Sequence, residues 1–315
     1  MNQQPLVSIV IPVYKGANYL AEAIDSALNQ TYNNIEILVV NDGSPDDGET
    51  EKVALSYGDK IRYIYKENGG VSSALNAGIR EMKGEYFSWL SHDDLYEPTK
   101  IQKQVELIQN ENDIILCSGK LMDEKCNPMP YRTKTLQGRF TSTELFEHFL
   151  RGYSLNGLGF LIPKHAFEQA GTFDESMRYL QDLDMWLRIL MLNIHTVVCH
   201  KDLLVTTRVH AAQQTNTISD IFDVDRNALA IKHLELIKNS GNIKIKTELY
   251  LLYYKLFVKG TNMAGIKIAK KRLIESGYTP VQLFLIELPY YLRSKVIKFC
   301  RWSYNAVLRF IGKRD

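Results

Sequence analysis

Apolar residues alternate between short continuous runs and runs spaced as on a helix. Leu6 to Val13 is a near-continuous apolar stretch rich in Val and Ile, which predicts a strand buried on both faces of a parallel sheet. Tyr19, Leu20, Ala23, Ile24, Ala27 and Leu28 then recur at helical spacing, and Ile35 to Val40 forms a second buried strand running into Asn41, Asp42, Gly43 and Ser44. The rhythm continues with a helix near Thr50 to Tyr57, a strand at Ile61 to Tyr65, a helix from Val71 to Met82 and a strand at Tyr86 to Leu90. Strands alternating with helices predict an α/β fold around a mostly parallel sheet flanked by helices. Pro98 opens the first turn of a further helix running to about Gln109, and Ile114 to Cys117 is the next strand.

From Met122 to Arg139 the pattern breaks into Asn, Pro, Gly and charged residues, as in loops that carry function or disorder. Thr141 with Glu144 fits a capping box ahead of Leu145, Phe146, Phe149 and Leu150, predicting an inserted helix. Gly157 to Pro163 returns to strand character, and Met185 to Leu192 reads as a buried helix. Beyond about Asp220 helices follow one another without strands, over Ala228–Ile237, Lys246–Val258 and Gly265–Ile274. The expected division is a nucleotide-binding domain over 1–219 and a helical region over 220–315, membrane-associating or oligomerising.

Composition narrows this only by exclusion. A net charge of +2 on 315 residues gives no warrant for nucleic-acid binding. The four cysteines form no CxxC pair, so they indicate neither a zinc knuckle nor a disulfide framework. The N-terminus carries no basic segment ahead of a long apolar core, and Leu6–Val13 is too short to span a bilayer, so a cytoplasmic location is expected.

In open parallel sheets ligands bind beyond the carboxyl ends of the strands. Three such ends are polar here: Pro12, Val13, Tyr14 and Lys15; Asn41, Asp42, Gly43 and Ser44; and Ser91, His92, Asp93 and Asp94. Taken alone, Asp42 reads equally as a ligand or as a turn residue or helix cap. The pair Asp93–Asp94 reads as a capped helix start or as a site for a cation, since adjacent carboxylates oppose each other's ionisation and a divalent ion bridging a diphosphate removes the conflict.

In combination these segments resemble the inverting family 2 glycosyltransferases of the GT-A, Rossmann-like fold. The resemblance rests on VSIVIPVYK (7–15), VVNDGSPDD (39–47), ENGGVSSALNAGI (67–79), GEYFSWLSHDD (84–94) and QDLDMWLR (181–188), and covers about residues 5–212. It implies that Pro12, Val13 and Tyr14 line a nucleoside pocket, that Asp42 accepts the imide proton of a uracil-like base, and that Asn76 and Arg208 face the donor. It further implies that Asp93 contacts the ribose or phosphate region and that Asp94 ligates Mn²⁺ or Mg²⁺. Ser91 replaces the first carboxylate of the family's acidic motif, and Leu75 stands where many relatives carry Arg. Asp182 matches the family's proposed base, with Gln181 where Glu is common, while Asp184 reads as first-turn charge stabilising its helix. His210 is either a metal or diphosphate contact or an ordinary loop histidine.

The implied activity is transfer of a sugar from a nucleotide diphosphate donor, a UDP-sugar, to a hydroxyl of a glycan or lipid-linked acceptor, with bacterial surface polysaccharide assembly as the setting. Acceptor choice is expected from Met122–Asn156 together with Tyr153, Asn156 and Trp186, the last either stacking on sugar or packing in the core. Leu288 to Asp315 combines aromatic and basic residues and reads either as an interfacial membrane element at the inner face of the membrane or as a docked helix with a solvated basic face. The rival readings are a sugar nucleotidyltransferase, which usually has a glycine-rich basic loop that Pro12–Gly16 barely offers, and a nucleotide-sugar-binding module without catalysis.

Overall fold

A computed structural model of the protein describes residues 4–130, 135–150, 155–211, 228–229, 231–237, 243–260 and 263–292. The chain divides into two compact units, Met1–Asp225 and Arg226–Asp315. The expected boundary near Asp220 falls outside the described residues.

The first unit grows from β1 (Val7–Val13), whose seven residues are all buried. Parallel neighbours lie on both sides: β2 (Ile35–Asp42), from Val7↔Ile35 to Val13↔Asn41, and β4 (Tyr86–Trp89), from Val7↔Tyr86. β3 (Arg62–Lys66) adds parallel to β2. The helices between them are α1 (Leu20–Leu28), α2 (Glu49–Leu55) and α3 (Val71–Glu81). Gly78 on α3 is a required close approach, because a Cβ there would strike Val10 of β1. This half follows the apolar pattern element for element.

Beyond β4 the sheet becomes mixed, which strand patterning alone does not reveal because direction leaves no trace in apolar spacing. The order is β3-β2-β1-β4-β9-β6-β10-β5. β9 (Phe160–Pro163) runs antiparallel to β4 and to β6 (Asp113–Asp123), while β10 (Thr196–Val209) runs parallel to β6. The two-residue β5 (Leu95–Tyr96) closes antiparallel on β10. β7 (Pro128–Met129) pairs with β6 and β8 (Gly138–Thr141) with β10, so part of the irregular stretch is hairpin. Register shifts within 200–205 bend β10, and the strand thereby serves β8 at its start and β5 near its end.

α4 (Lys100–Val105) follows Pro98, and α5 (Ser142–Leu150) begins at the expected capping box, with Thr141 N donating to Glu144 Oε2 at 2.8 Å and Glu144 N to Thr141 Oγ1 at 3.3 Å. α6 (His165–Ala170) and α7 (Gln181–Met191) complete this unit. In the second unit helix Ile243–Gly260 packs on helix Met263–Glu275, with Tyr253, Tyr254, Ala269 and Leu273 buried.

A buried cation ties the mixed half together. Lys100 is fully buried, donates to Ser88 Oγ at 2.8 Å and Gln104 Oε1 at 2.9 Å, and lies 4.1 Å from the centroid of the Tyr96 ring. Gln104 passes the connection to the Gly159 carbonyl, and the Tyr96 hydroxyl to that of Trp89. None of these partners is a carboxylate, so burial pushes the ammonium down to about 8. The unfolded chain releases this proton only near ~10.4. Between those values the unfolded state binds more protons, and stability owed to Lys100 rises with pH. The stability of wild type minus that of Lys100→Met, from urea unfolding, is expected to increase from pH 8 to pH 10; parallel curves would refute the buried-cation account.

Candidate active site

The polar ends of β1, β2 and β4 meet as the sequence suggested. Lys15 takes a left-handed conformation (φ 52°), and its N–H donates to Ser44 Oγ at 2.9 Å while the Gly16 N–H donates to Thr50 Oγ1 at 3.1 Å. Asn41 Oδ1 accepts from the amide and hydroxyl of Ser44, which closes the loop after β2. Gly16 lies directly against His92, whose ring a Cβ at residue 16 would strike. The loop after β1 and the acidic turn after β4 are thus in contact. Pro12 and Val13 are buried at this edge and Tyr14 is exposed.

Asp42, 2% exposed, accepts from Gly69 N (3.0 Å) and Lys66 Nζ (2.6 Å) on one oxygen and from Gly70 N (2.7 Å) on the other. The carboxylate thereby fastens the start of α3 to the end of β2. Asn76 departs from the expectation that it faces a donor. Its Oδ1 accepts from Phe173 N at 2.9 Å, and its Nδ2 donates to Phe173 O and Glu175 Oε1, so the amide is consumed in joining α3 to the segment before α7.

The acidic turn is held from β10. Asp94, 4% exposed, accepts from the Arg208 N–H at 2.8 Å, and Asp93 Oδ2 pairs with His210 Nε2 at 2.9 Å. Burial, then the neighbouring Asp93 charge, raises the Asp94 carboxyl well above the usual range. Burial likewise lowers His92.

Arg208 also departs from expectation. Its side chain is 1% exposed and ends among protein acceptors: Asp93 O (3.0 Å), Glu124 O (3.3 Å), Cys126 Sγ (3.2 Å) and Glu22 Oε2 (2.7 Å). The guanidinium carbon sits 4.4 Å from the Tyr19 ring centroid, with the His210 ring 5.3 Å from the same centroid. Arg208 therefore positions the acidic turn rather than presenting charge to a ligand. The signal that could have found this is its place at the end of an apolar strand, where a long cation is buried unless paired.

As for a cation, Asp93, Asp94 and His210 supply the oxygen and imidazole donors that Mg²⁺ or Mn²⁺ accept. Among the described residues, however, no group of three or more His, Cys, Asp or Glu is set to hold a metal ion. A two-carboxylate set fits a cation that takes its remaining ligands from phosphate oxygens.

Asp182 stands in the first turn of α7, two positions after Leu180, whose left-handed conformation (φ 58°) costs on the order of 1 kcal/mol. Its Oδ1 accepts from Leu183 N at 2.7 Å, and burial raises its pKa above the ordinary carboxylate value. Gln181 Oε1 is buried without a hydrogen-bond partner. Asp184 is more than first-turn charge: fully buried, it pairs with Arg188 at 2.8 Å, and Arg188 in turn donates to the carbonyls of Ala170 and Thr172. Trp186 is 2% exposed, its ring centroid 4.9 Å from that of Phe160 and 5.7 Å from that of Phe173, so it packs in the core. Trp89, which precedes the acidic turn, packs on the same Phe173 at 6.3 Å, and a Cβ on Gly157 would lie 3.0 Å from Trp89 and 3.6 Å from Trp186. One aromatic cluster therefore carries both the acidic turn and the helix bearing Asp182. Asn156 caps the turn 157–159 through Leu158 N, and Tyr153 lies outside the described residues.

A parallel half, a mixed half returning through β10, and an acidic turn at the junction make up the GT-A fold of glycosyltransferases. S. aureus TarS 1–349 in complex with UDP-GlcNAc has this architecture, with a TM-score of 0.65 at 16% identity over 89% of this chain and 83% of that one. Residues 8–170 match the profile described as Glycosyl transferase family 2, and the chain belongs to that family. An uncharacterised glycosyltransferase of Rickettsia prowazekii (strain Madrid E) is 41% identical, spanning 95% of this chain and 96% of that protein. The hyaluronan synthase of Pasteurella multocida is 30% identical over 200 residues, covering 60% of this chain but 19% of the synthase.

Arg208→Met would remove the side-chain donors to the carbonyls of Asp93 and Glu124 and leave Glu22 unpaired. A loss of about 2 kcal/mol in chemical denaturation is expected, because two carbonyls lose a buried donor while the half-exposed Glu22 stays partly hydrated. A loss below about 0.5 kcal/mol, the size of an ordinary surface substitution, would contradict the clamp.

Proposed function

We propose that this glycosyltransferase moves a hexose or related sugar from a UDP-sugar to a hydroxyl of a glycan or lipid-linked acceptor, with inversion, in the assembly of a bacterial surface polysaccharide. The observation that carries the reading is Asp182, a partly buried carboxylate with a raised pKa at the head of α7, a helix packed through one aromatic cluster onto the acidic turn. The donor class draws support from a structural neighbour bound to UDP-GlcNAc, and the polysaccharide setting from a relative that is a hyaluronan synthase.

In this reading the nucleoside lies at the ends of β1 and β2, with Tyr14 exposed beside it and Pro12 and Val13 as its wall. Asp42 Oδ2 accepts from the Gly70 N–H and has lone-pair capacity left for an imide N–H. The ribose and diphosphate then run toward Asp93 and Asp94. Asp94, with Asp93 and His210 beside it, would hold Mn²⁺ or Mg²⁺, whose contribution is to neutralise charge on the departing diphosphate. Asp182 takes the proton of the acceptor hydroxyl as that oxygen attacks the anomeric carbon and the bond to the diphosphate breaks. Displacement in line inverts the anomeric centre, and one base suffices for it.

Asp182→Asn keeps the shape and hydrogen-bonding capacity of the side chain but cannot accept the proton. Turnover is expected to fall ~10² to 10⁴-fold with UDP affinity preserved. Because burial raises this carboxyl, the acid limb of kcat/KM in the wild type is expected above the ordinary Asp range near ~4. Turnover within a few-fold of wild type would remove Asp182 as the base.

A separate measurement addresses the cation. Asp94→Ala is expected to abolish the enhancement of UDP affinity by Mn²⁺, read by calorimetry with and without the ion. Full enhancement in the variant would move the metal elsewhere.

A further inference from the structure

The second unit ends its described part in a helix, 280–292, that has two apolar faces. Its start is unambiguous: Thr279 Oγ1 accepts from Gln282 N at 3.2 Å, Gln282 Oε1 accepts from Thr279 N at 2.8 Å, and Pro280 occupies the first helical position. One face docks inward. Leu283 is fully buried, Ile286 and Tyr290 are half-buried, and Glu287 accepts from Lys270 at 2.9 Å and from the Tyr254 hydroxyl.

The other face carries Val281, Phe284, Leu285, Leu288 and Leu292, spaced i, i+3, i+4, i+7 and i+11, which is one stripe of a helix. Val281, Phe284, Leu285 and Leu292 are 67%, 54%, 59% and 53% exposed. No charged residue interrupts the stripe, since the single ionisable carboxylate of the helix, Glu287, is on the docked face. An outward stripe of this kind, on a helix already anchored by its opposite side, needs a second apolar medium.

The sequence says which. Directly after the helix, residues 293–315 hold seven basic side chains (Arg293, Lys295, Lys298, Arg301, Arg309, Lys313, Arg314) against one acidic residue, Asp315. No helix among the described residues is long and apolar enough to cross a membrane. We propose that the outward stripe of helix 280–292 and the basic run after it form a membrane-surface anchor that lays the second unit on anionic lipid. The stripe enters the boundary between headgroups and acyl chains while the cations meet the surface charge, and two such weak signals together give stable but reversible attachment. This stands apart from the donor and base assignments, because it concerns where the enzyme works rather than what it transfers.

The test uses the full chain without any nucleotide sugar, so its outcome is independent of the transferase chemistry. Protein is floated with vesicles of phosphatidylcholine alone and of phosphatidylcholine with phosphatidylglycerol. Binding to the anionic vesicles, weakening as salt rises, is expected. Val281→Gln, Phe284→Gln and Leu285→Gln together should lower it roughly tenfold or more. Lys295→Gln, Lys298→Gln and Arg301→Gln together should lower it about a hundredfold at low salt, at ~5-fold for each cation. Circular dichroism and thermal unfolding check that the variants fold, and Phe284→Gln alone, at a surface site, serves if the triple stripe variant does not. Equal binding to both vesicle types, no binding, or binding untouched by a folded stripe variant overturns the proposal. So does self-association in sedimentation that the stripe variant abolishes while vesicles bind neither protein, since the stripe would then belong to a second copy of the chain.

Discussion

Two carboxylates in succession, largely withdrawn from water at the end of a buried strand, are unstable unless something else holds them. In this enzyme that something is the last stretch of β10. The Arg208 amide takes one oxygen of Asp94, and His210 takes one of Asp93. The Arg208 side chain then bonds the Asp93 carbonyl and reaches on to Glu22 of α1. Burial, and after it the neighbouring Asp93 charge, still leave the Asp94 carboxyl with a raised pKa. The bends in β10, its long reach and the choice of a buried arginine follow from the need to bring these groups to one place.

The parallel half was readable from residue order because its physics is local. A buried parallel strand must be continuously apolar, a covering helix must repeat its apolar face every turn, and both patterns lie within ten residues of sequence. Hence β1, β2, α1 and α3 fall where the pattern puts them. The mixed half was less readable. β5 is two residues long and exists only because β10 pairs with it, and nothing in apolar spacing distinguishes the antiparallel β9 from a parallel strand.

The site shows the same division. Asp42, Asp93, Asp94, His210 and Asp182 stand at strand ends or a helix start, and the motifs of the family resemblance, more than position, single them out. Asn76 and Arg208 were expected to face the donor and instead spend their hydrogen bonds on the protein, at partners 97 and 115 residues away. Trp186 is core because Phe160 and Phe173 cover it, and neither neighbour is near it in sequence. Such inward commitments depend on tertiary partners, and a polar residue in a motif looks the same whether its ligand is a nucleotide or a backbone carbonyl.

The bond between Asp94 and Arg208 spans 114 positions, and this has a consequence for biosynthesis. Chains emerge N-terminus first, and local units fold before distant segments exist. A growing chain has the sheet β3-β2-β1-β4 complete well before residue 208 is made, and during that interval the acidic turn lacks the amide that steadies it. The parallel strands therefore precede the geometry that β10 imposes at their carboxyl ends. A product truncated short of β10 keeps the parallel strands and lacks the amide that holds the acidic turn.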